Sequence, residues 1–225
     1  MTFPVDAARA TTDGPDGPTV AVNLPGGITA GDILYVVIRI PNAAISITFP
    51  NGWIKQTELS GDGNDRTAIG YRIADGTEGS TATFTFSSNI FSAAIVWRIT
   101  GGDVPTYADL VTGSSVNPDS PSHTPVGGAQ DTLWLTIGGC EDNIWTITDI
   151  PSGYSNSVSV VITGGGGSNA VMVFGASKQA NAATEDPGAW TLSGLAPWAA
   201  GTIAIPPVQI STASFITSRL GRGAA

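Results

Sequence analysis

Apolar positions along the chain recur at the spacings of β-strands. Ile33–Ile40 is almost wholly apolar, the mark of a strand covered on both faces. Residues 81–86 alternate instead: Ala82, Phe84 and Phe86 face one way, and Thr81, Thr83 and Thr85 the other, as where one face is wet. Further strand patterns cover residues 19–24, 67–73, 93–100, 132–137, 145–148, 157–162, 170–177, 189–192 and 202–205. Between them stand turn signals such as Pro50-Asn51-Gly52, where glycine supplies the positive φ that other residues resist. Helical spacing is offered only at the end, where Ile216 and Leu220 with Arg219 and Arg222 could make one amphipathic turn.

The same order of landmarks occurs twice. Asp32-Ile33-Leu34, Phe49-Pro50-Asn51-Gly52-Trp53, Ala68-Ile69-Gly70-Tyr71, Phe84 and Ala93-Ala94-Ile95-Val96 are followed by a second series. It runs Asp131-Thr132-Leu133, Ile150-Pro151-Ser152-Gly153-Tyr154, Val171-Met172-Val173-Phe174, Trp190 and Ala199-Ala200-Gly201-Thr202-Ile203. Two copies of a sheet-forming unit predict an all-β fold: one two-sheet antiparallel β-sandwich, jelly-roll-like, built from two similar halves. Each half is expected to contribute strands to both sheets. The domain is placed at residues 19–206, with the copies at about 28–102 and 129–206. Residues 1–18, rich in Pro, Gly and Asp, read as an irregular N-terminal arm, and 207–225 as a C-terminal arm. Residues 101–128 read as a surface crossover between the halves, with Tyr107, Leu110 and Val111 to bury.

Charge narrows the partners. Charged residues are 12% of the chain and the formal net charge is −9. Two of the nine basic residues, Arg219 and Arg222, stand in the last seven positions, so residues 1–218 hold seven basic against eighteen acidic groups, a net −11. Phosphate binding needs a basic surface, so nucleic acid is not an expected partner. Apolar runs fall short of the roughly 18–20 residues that cross a membrane, and the start lacks the pattern of a secretory signal. Synthesis in a cytoplasm, with no membrane partner, is the expectation.

Candidate chemistry is thin. His123, flanked by Pro121 and Pro125, is the sole histidine, and a hydrolytic triad would need it beside a nucleophile. Cys140 is the sole cysteine and ends an apolar run, so it reads as a small buried hydrophobe. Asp62, Asn64 and Asp65 share a loop, as do Asp75 and Glu78, but neither has the spacing of a calcium-binding loop, and turns favour Asp for backbone reasons. Four Gly at 164–167 lack the Lys of a phosphate loop. No catalytic residue, cofactor or metal site is therefore expected, and the chain reads as no enzyme. Of the six tryptophans, those at matched positions of the two copies read as core; Trp198, after a proline, is the best candidate for an exposed aromatic.

Gly31-Asp32-Ile33-Leu34-Tyr35-Val36, Pro50-Asn51-Gly52-Trp53, Tyr71-Arg72-Ile73-Ala74 and Trp190-Thr191-Leu192-Ser193-Gly194 resemble a family of β-sandwich proteins of tailed-phage virions and phage-related bacterial surface proteins. The resemblance spans residues 20–206. It implies a virion structural protein: a head decoration (cement) protein on the capsid surface, touching the major capsid protein and copies of itself as a homo-oligomer. The alternative it implies is a tail or fibre protein that binds host-surface carbohydrate. The last segment lies outside the resemblance. Its Ile210, Phe215, Ile216 and Leu220, with Arg219 and Arg222 and no acid, read as an arm that anchors the domain on its partner.

Overall fold

Ile33–Ile40, expected to be covered on both faces, is buried along its whole length and sits inside a molecule of stacked layers. The computed structural model describes residues 2–61, 64–141, 145–162 and 170–209. Its strands are β1 (Val5–Asn23), β2 (Ile33–Ile40), β3 (Ile47–Thr48), β4 (Ile54–Ser60), β5 (Arg66–Ile73), β6 (Thr81–Thr100) and β7 (Thr106–Tyr107). They continue as β8 (Val111–Ser115), β9 (Gln130–Glu141), β10 (Ile147–Asp149), β11 (Ser155–Ile162), β12 (Val171–Ala182), β13 (Thr191–Leu192) and β14 (Ala196–Ile205). The described residues contain no helix; the helical turn expected around Ile216 and Leu220 falls outside them.

The fold is an all-β sandwich of two antiparallel sheets packed face to face. One sheet has the order β1-β6-β2-β5-β4, with β3 also on β6; the other has β11-β12-β9-β14-β7, with β8 also on β14. The expectation that each half feeds both sheets is corrected here. All strands up to residue 100 lie in the first sheet, and the strands of the second all come from residue 106 onward.

The duplication itself is visible in the pairing. The run β6-β2-β5-β4 has the same chain order as β14-β9-β12-β11. The two landmark turns match in detail: φ is 84° at Gly52 and 80° at Gly153, and the amides of Trp53 and Tyr154 each donate to a proline carbonyl, Pro50 and Pro151, at 3.1 Å. Both following strands carry an irregularity at the same place, Lys55/Thr57 in β4 and Ser155/Val158 in β11.

The copies are longer than the sequence suggested. Residues 1–18 are no irregular arm: from Val5 on they belong to β1, which pairs with β6 from Val5↔Thr100 to Asn23↔Thr81. The strand expected at 19–24 is the far end of β1. Its counterpart in the second half is the supposed surface crossover. There β7 and β8 pair with β14, and the amides of Trp190 and Leu192 donate to the carbonyls of Pro118 and Val116. Glycines and register shifts near Gly14 and Gly17 let β1 bend rather than end, which is why a Pro/Gly-rich stretch imitates a loop.

Three apolar clusters follow. Between the sheets lie Ile33, Tyr35, Val37, Ile95, Trp97 and Ile99 from one side and Leu133, Leu135, Ile137, Val173 and Ile203 from the other. The opposite face of β2 (Leu34, Val36, Ile38) is covered by β3 and by the outer ends of β1 and β6, through Ile47, Val20, Val22, Phe84 and Phe86. The second half repeats this with Trp134 and Phe174 under Trp190, Leu192 and Tyr154. Phe84 meets Phe49 and Trp53 edge-on, and Phe174 meets Trp190 likewise, at 4.8–5.6 Å between centroids. Of the tryptophans at matched positions, Trp190 is core, as expected, while Trp53 is only half-buried against its cluster.

The paired turns supply an internal control. A Cβ at Gly52 would lie 2.6 Å from Arg72 Nη1, whereas at Gly153 its nearest neighbour would be Lys178 Cε at 3.7 Å. Both substitutions to Ala force a left-handed residue, at about 1–2 kcal/mol. Gly52→Ala must also displace Arg72 from Glu78 and Asp75. In urea titrations Gly52→Ala is expected to cost more than Gly153→Ala; equal losses would show that Arg72 moves freely.

Candidate functional site

Each of the seven basic residues among those described is held by an acid: Arg9 by Asp6, Arg39 by Asp65, Lys55 and Arg66 by Glu58, Arg72 by Asp75 and Glu78, Arg98 by Asp32, and Lys178 by Glu185. Burial pushes the Asp32 carboxyl up, but the Arg98 guanidinium and the hydrogen bonds from Thr29 outweigh it and hold the carboxyl below its ordinary range. At Asp6 burial wins over Arg9, and the pKa is raised.

Two acidic loops were candidates for calcium. Asp62 lies outside the described residues, and Asp65 is turned inward, fully buried, onto Arg39. Asp75 and Glu78 accept from the backbone amides of their own turn and from Arg72. No group of three potential metal ligands is assembled among the described residues.

His123 is half-buried rather than a surface residue. Its amide and carbonyl pair with those of Glu185, and Nε2 lies 3.0 Å from Thr106 Oγ1. The Glu185 carboxylate is engaged elsewhere: Oε1 accepts from Lys178 Nζ at 2.7 Å and from Tyr154 Oη at 3.3 Å. The histidine therefore lacks the acid partner that would orient a base. Burial lowers the His123 pKa below its ordinary value. The neutral ring then fits the folded state better than the cation, so its contribution to stability is present above about pH 6.5 and is lost as pH falls through the lowered value. The melting temperature should drop between pH 7 and 5, and His123→Gln should flatten that drop. An unchanged slope in the variant would assign the pH dependence elsewhere.

Trp198, expected to be the exposed aromatic, is only 7% exposed and its Nε1 donates to Ser115 Oγ at 3.0 Å. It is covered because residues 111–115, read as crossover, pair with β14 beside it. Cys140 is fully buried, as expected. The anchoring set Ile210, Phe215, Ile216, Arg219, Leu220 and Arg222 lies outside the described residues.

The feature that sequence reasoning missed is a groove of about 450 Å³ between β10 and β11. Trp145, Ile147, Ile150, Val158, Val161 and Met172 give it apolar walls, and Thr146, Thr148, Asp149, Ser157 and Ser159 a polar rim. Trp145 is half-buried and lies against Gly194, where a Cβ would approach its ring to 2.3 Å. The corresponding place in the first half is filled. There Lys55 Nζ donates to the carbonyl of Ile47 at 2.8 Å, linking β4 to β3, while Arg66 holds Glu58 and the carbonyl of Ala43. Asn156 stands where Lys55 does, three residues after the turn glycine, and β11 carries no charged residue at all. The signal was in the sequence as a difference between copies, and it shows only once the copies are aligned by their turns. Comparison with protein-family models, curated proteins and solved structures gives no match to this chain.

Proposed function

We propose that this chain is a non-enzymatic structural protein of a phage virion, a decoration (cement) protein bound to the outside of the capsid shell. The observation that carries the reading is the use of its charges. Every described cation is tied to an acid inside the body, so the polar inventory holds strands together and leaves contact area as the working part. The turn and strand motifs that resemble virion β-sandwiches support the same role. Cementing works by selective binding: a protein that touches neighbouring capsid subunits at once binds the assembled shell and not its parts, and so stabilises the shell. Purified protein added to particles lacking it should bind at a stoichiometry comparable with the shell subunit and raise the temperature at which the particles release DNA. Absence of binding, or a few copies per particle, would sink the decoration role.

The groove supports a second reading, a tail or fibre protein binding carbohydrate, because Trp145 beside hydroxyls and Asp149 is chemistry that suits a sugar ring. A few copies per particle together with loss of host adsorption in Trp145→Ala would favour it.

A further inference from the structure

Edge strands with unpaired amides and carbonyls invite other strands, and proteins guard them with charge, proline or bulges. Two of the end strands here, the counterparts β4 and β11, are treated differently. The end strand β4 carries Lys55 and Glu58, and Lys55 reaches across to β3. Its counterpart β11, also an end strand, reads Ser-Asn-Ser-Val-Ser-Val-Val-Ile, uncharged and rich in β-formers. Val161 is 38% exposed on it, and the groove runs along it toward β10.

We propose that the outer edge of β11 accepts the C-terminal segment of a second copy, residues 210–218, as an added antiparallel strand whose side chains on one face enter this groove. The inference goes beyond a virion role and does not depend on it. Three observations select the occupant. Ile-Ser-Thr-Ala-Ser-Phe-Ile-Thr-Ser at 210–218 has the same chemistry as β11: uncharged, β-branched, without Gly or Pro. Arg219 and Arg222 follow it, with no acid after Gln209. They are complementary to a body whose described cations are all paired, and to Asp149 in the groove, which no described cation holds.

Chain length selects a second copy over the chain's own tail. Gln209 Nε2 lies 3.4 Å from Gln130 Oε1, at the start of β9. The Ser155 end of β11 lies toward the same end of the sheet, since Ser155 pairs with Ser177 and Ser177 with Leu135. A tail reaching β11 directly from there would run parallel to it, whereas every strand pair described is antiparallel. To enter from the Ile162 end it would first pass the length of β9, twelve residues. That passage alone would take residues 210–221, so residues 210–218 of the same chain would be used up before reaching β11. A second copy approaches from the Ile162 end without that detour.

The test is sedimentation velocity on the full chain, on a form lacking 210–225, and on Val161→Lys, with Ser159→Lys as a second variant should Val161→Lys unfold. A synthetic peptide of residues 210–225 is titrated calorimetrically into the truncated form. The full chain should associate with rising concentration, while the truncated form and the lysine variants stay monomeric with unchanged melting temperature. The peptide should bind the truncated form at least tenfold more tightly than the same form with Val161→Lys. A monomeric full chain, association that survives truncation, or a peptide indifferent to the lysine would each overturn the proposal. Peptide binding alongside a monomeric full chain would mean that the chain's own tail fills the groove. Strand exchange without capsid binding would remove only the decoration role.

Discussion

Asp65→Ala is expected to lower the free energy of unfolding by about 3–5 kcal/mol, because it strands Arg39 as an uncompensated cation between the sheets. Arg39 is wholly buried. Its guanidinium binds Asp65 and Thr67 Oγ1, its Nε has no described acceptor, and its stem lies on Gly139 of the opposite sheet, where a Cβ would come within 2.7 Å of Cδ. Burial pulls the Arg39 pKa down, and Asp65 is the largest of the groups that oppose that pull; without its carboxylate the desolvation is much less compensated. Replacing both partners at once, Arg39→Met with Asp65→Leu, removes the charges together and should lie close to wild type or above it. Guanidinium titrations of the two forms decide the matter. A double variant as weak as the single one would mean that the ion pair itself holds the sheets together.

Trp97→Ala should cost about as much, roughly 3–5 kcal/mol, by a different route, since it opens a cavity in the core between the sheets. Trp97 is fully buried and its ring occupies the space that a side chain at Gly175 would take: a Cβ there would stand 2.6 Å from Cζ2. Gly175→Ala alone overpacks the same spot, at about 1–3 kcal/mol. The two changes are complementary in volume, so the double variant should lose less than the sum of the singles. Strict additivity in urea titrations would show that the ring and the glycine do not share the space between the sheets.

Much of the fold was legible because it is written in period-two patterns and turn residues. The almost wholly apolar run 33–40 announced a strand between two layers, and Pro50-Asn51-Gly52 and Pro151-Ser152-Gly153 announced the matched turns. What misled was the joining of the copies. Asp13-Gly14-Pro15-Asp16-Gly17-Pro18 has loop composition, yet β6 holds it in place through partners nearly eighty residues away, such as Gly14↔Ser92. Local propensity does not register such long-range pairing. The assignment of halves to sheets failed for a related reason: alternation says which face of a strand is buried, not which sheet it joins. Trp198 was misjudged because its cover, residues 111–115, carried no strand signal of its own. The groove depended on residues that are absent from β11 rather than present, the counterparts of Lys55 and Glu58.

The chain passes from one sheet to the other in a single step, between Thr100 and Thr106. No strand of either half is threaded through the other, so the two can come together after each has formed. A protease cut after Asp103 would leave two pieces whose sheets share no strand pairing; they meet through the apolar faces of their sheets and through backbone hydrogen bonds of Gly101 and Asp103 with Val208 and Pro206, with Gln56 and Pro105 at the margin. Such pieces, expressed separately, are expected to recombine through those faces. Assembly of the chain in the cell would likewise be sequential: the first sheet can close while the second is still being synthesised, holding its apolar face exposed until the partner layer arrives.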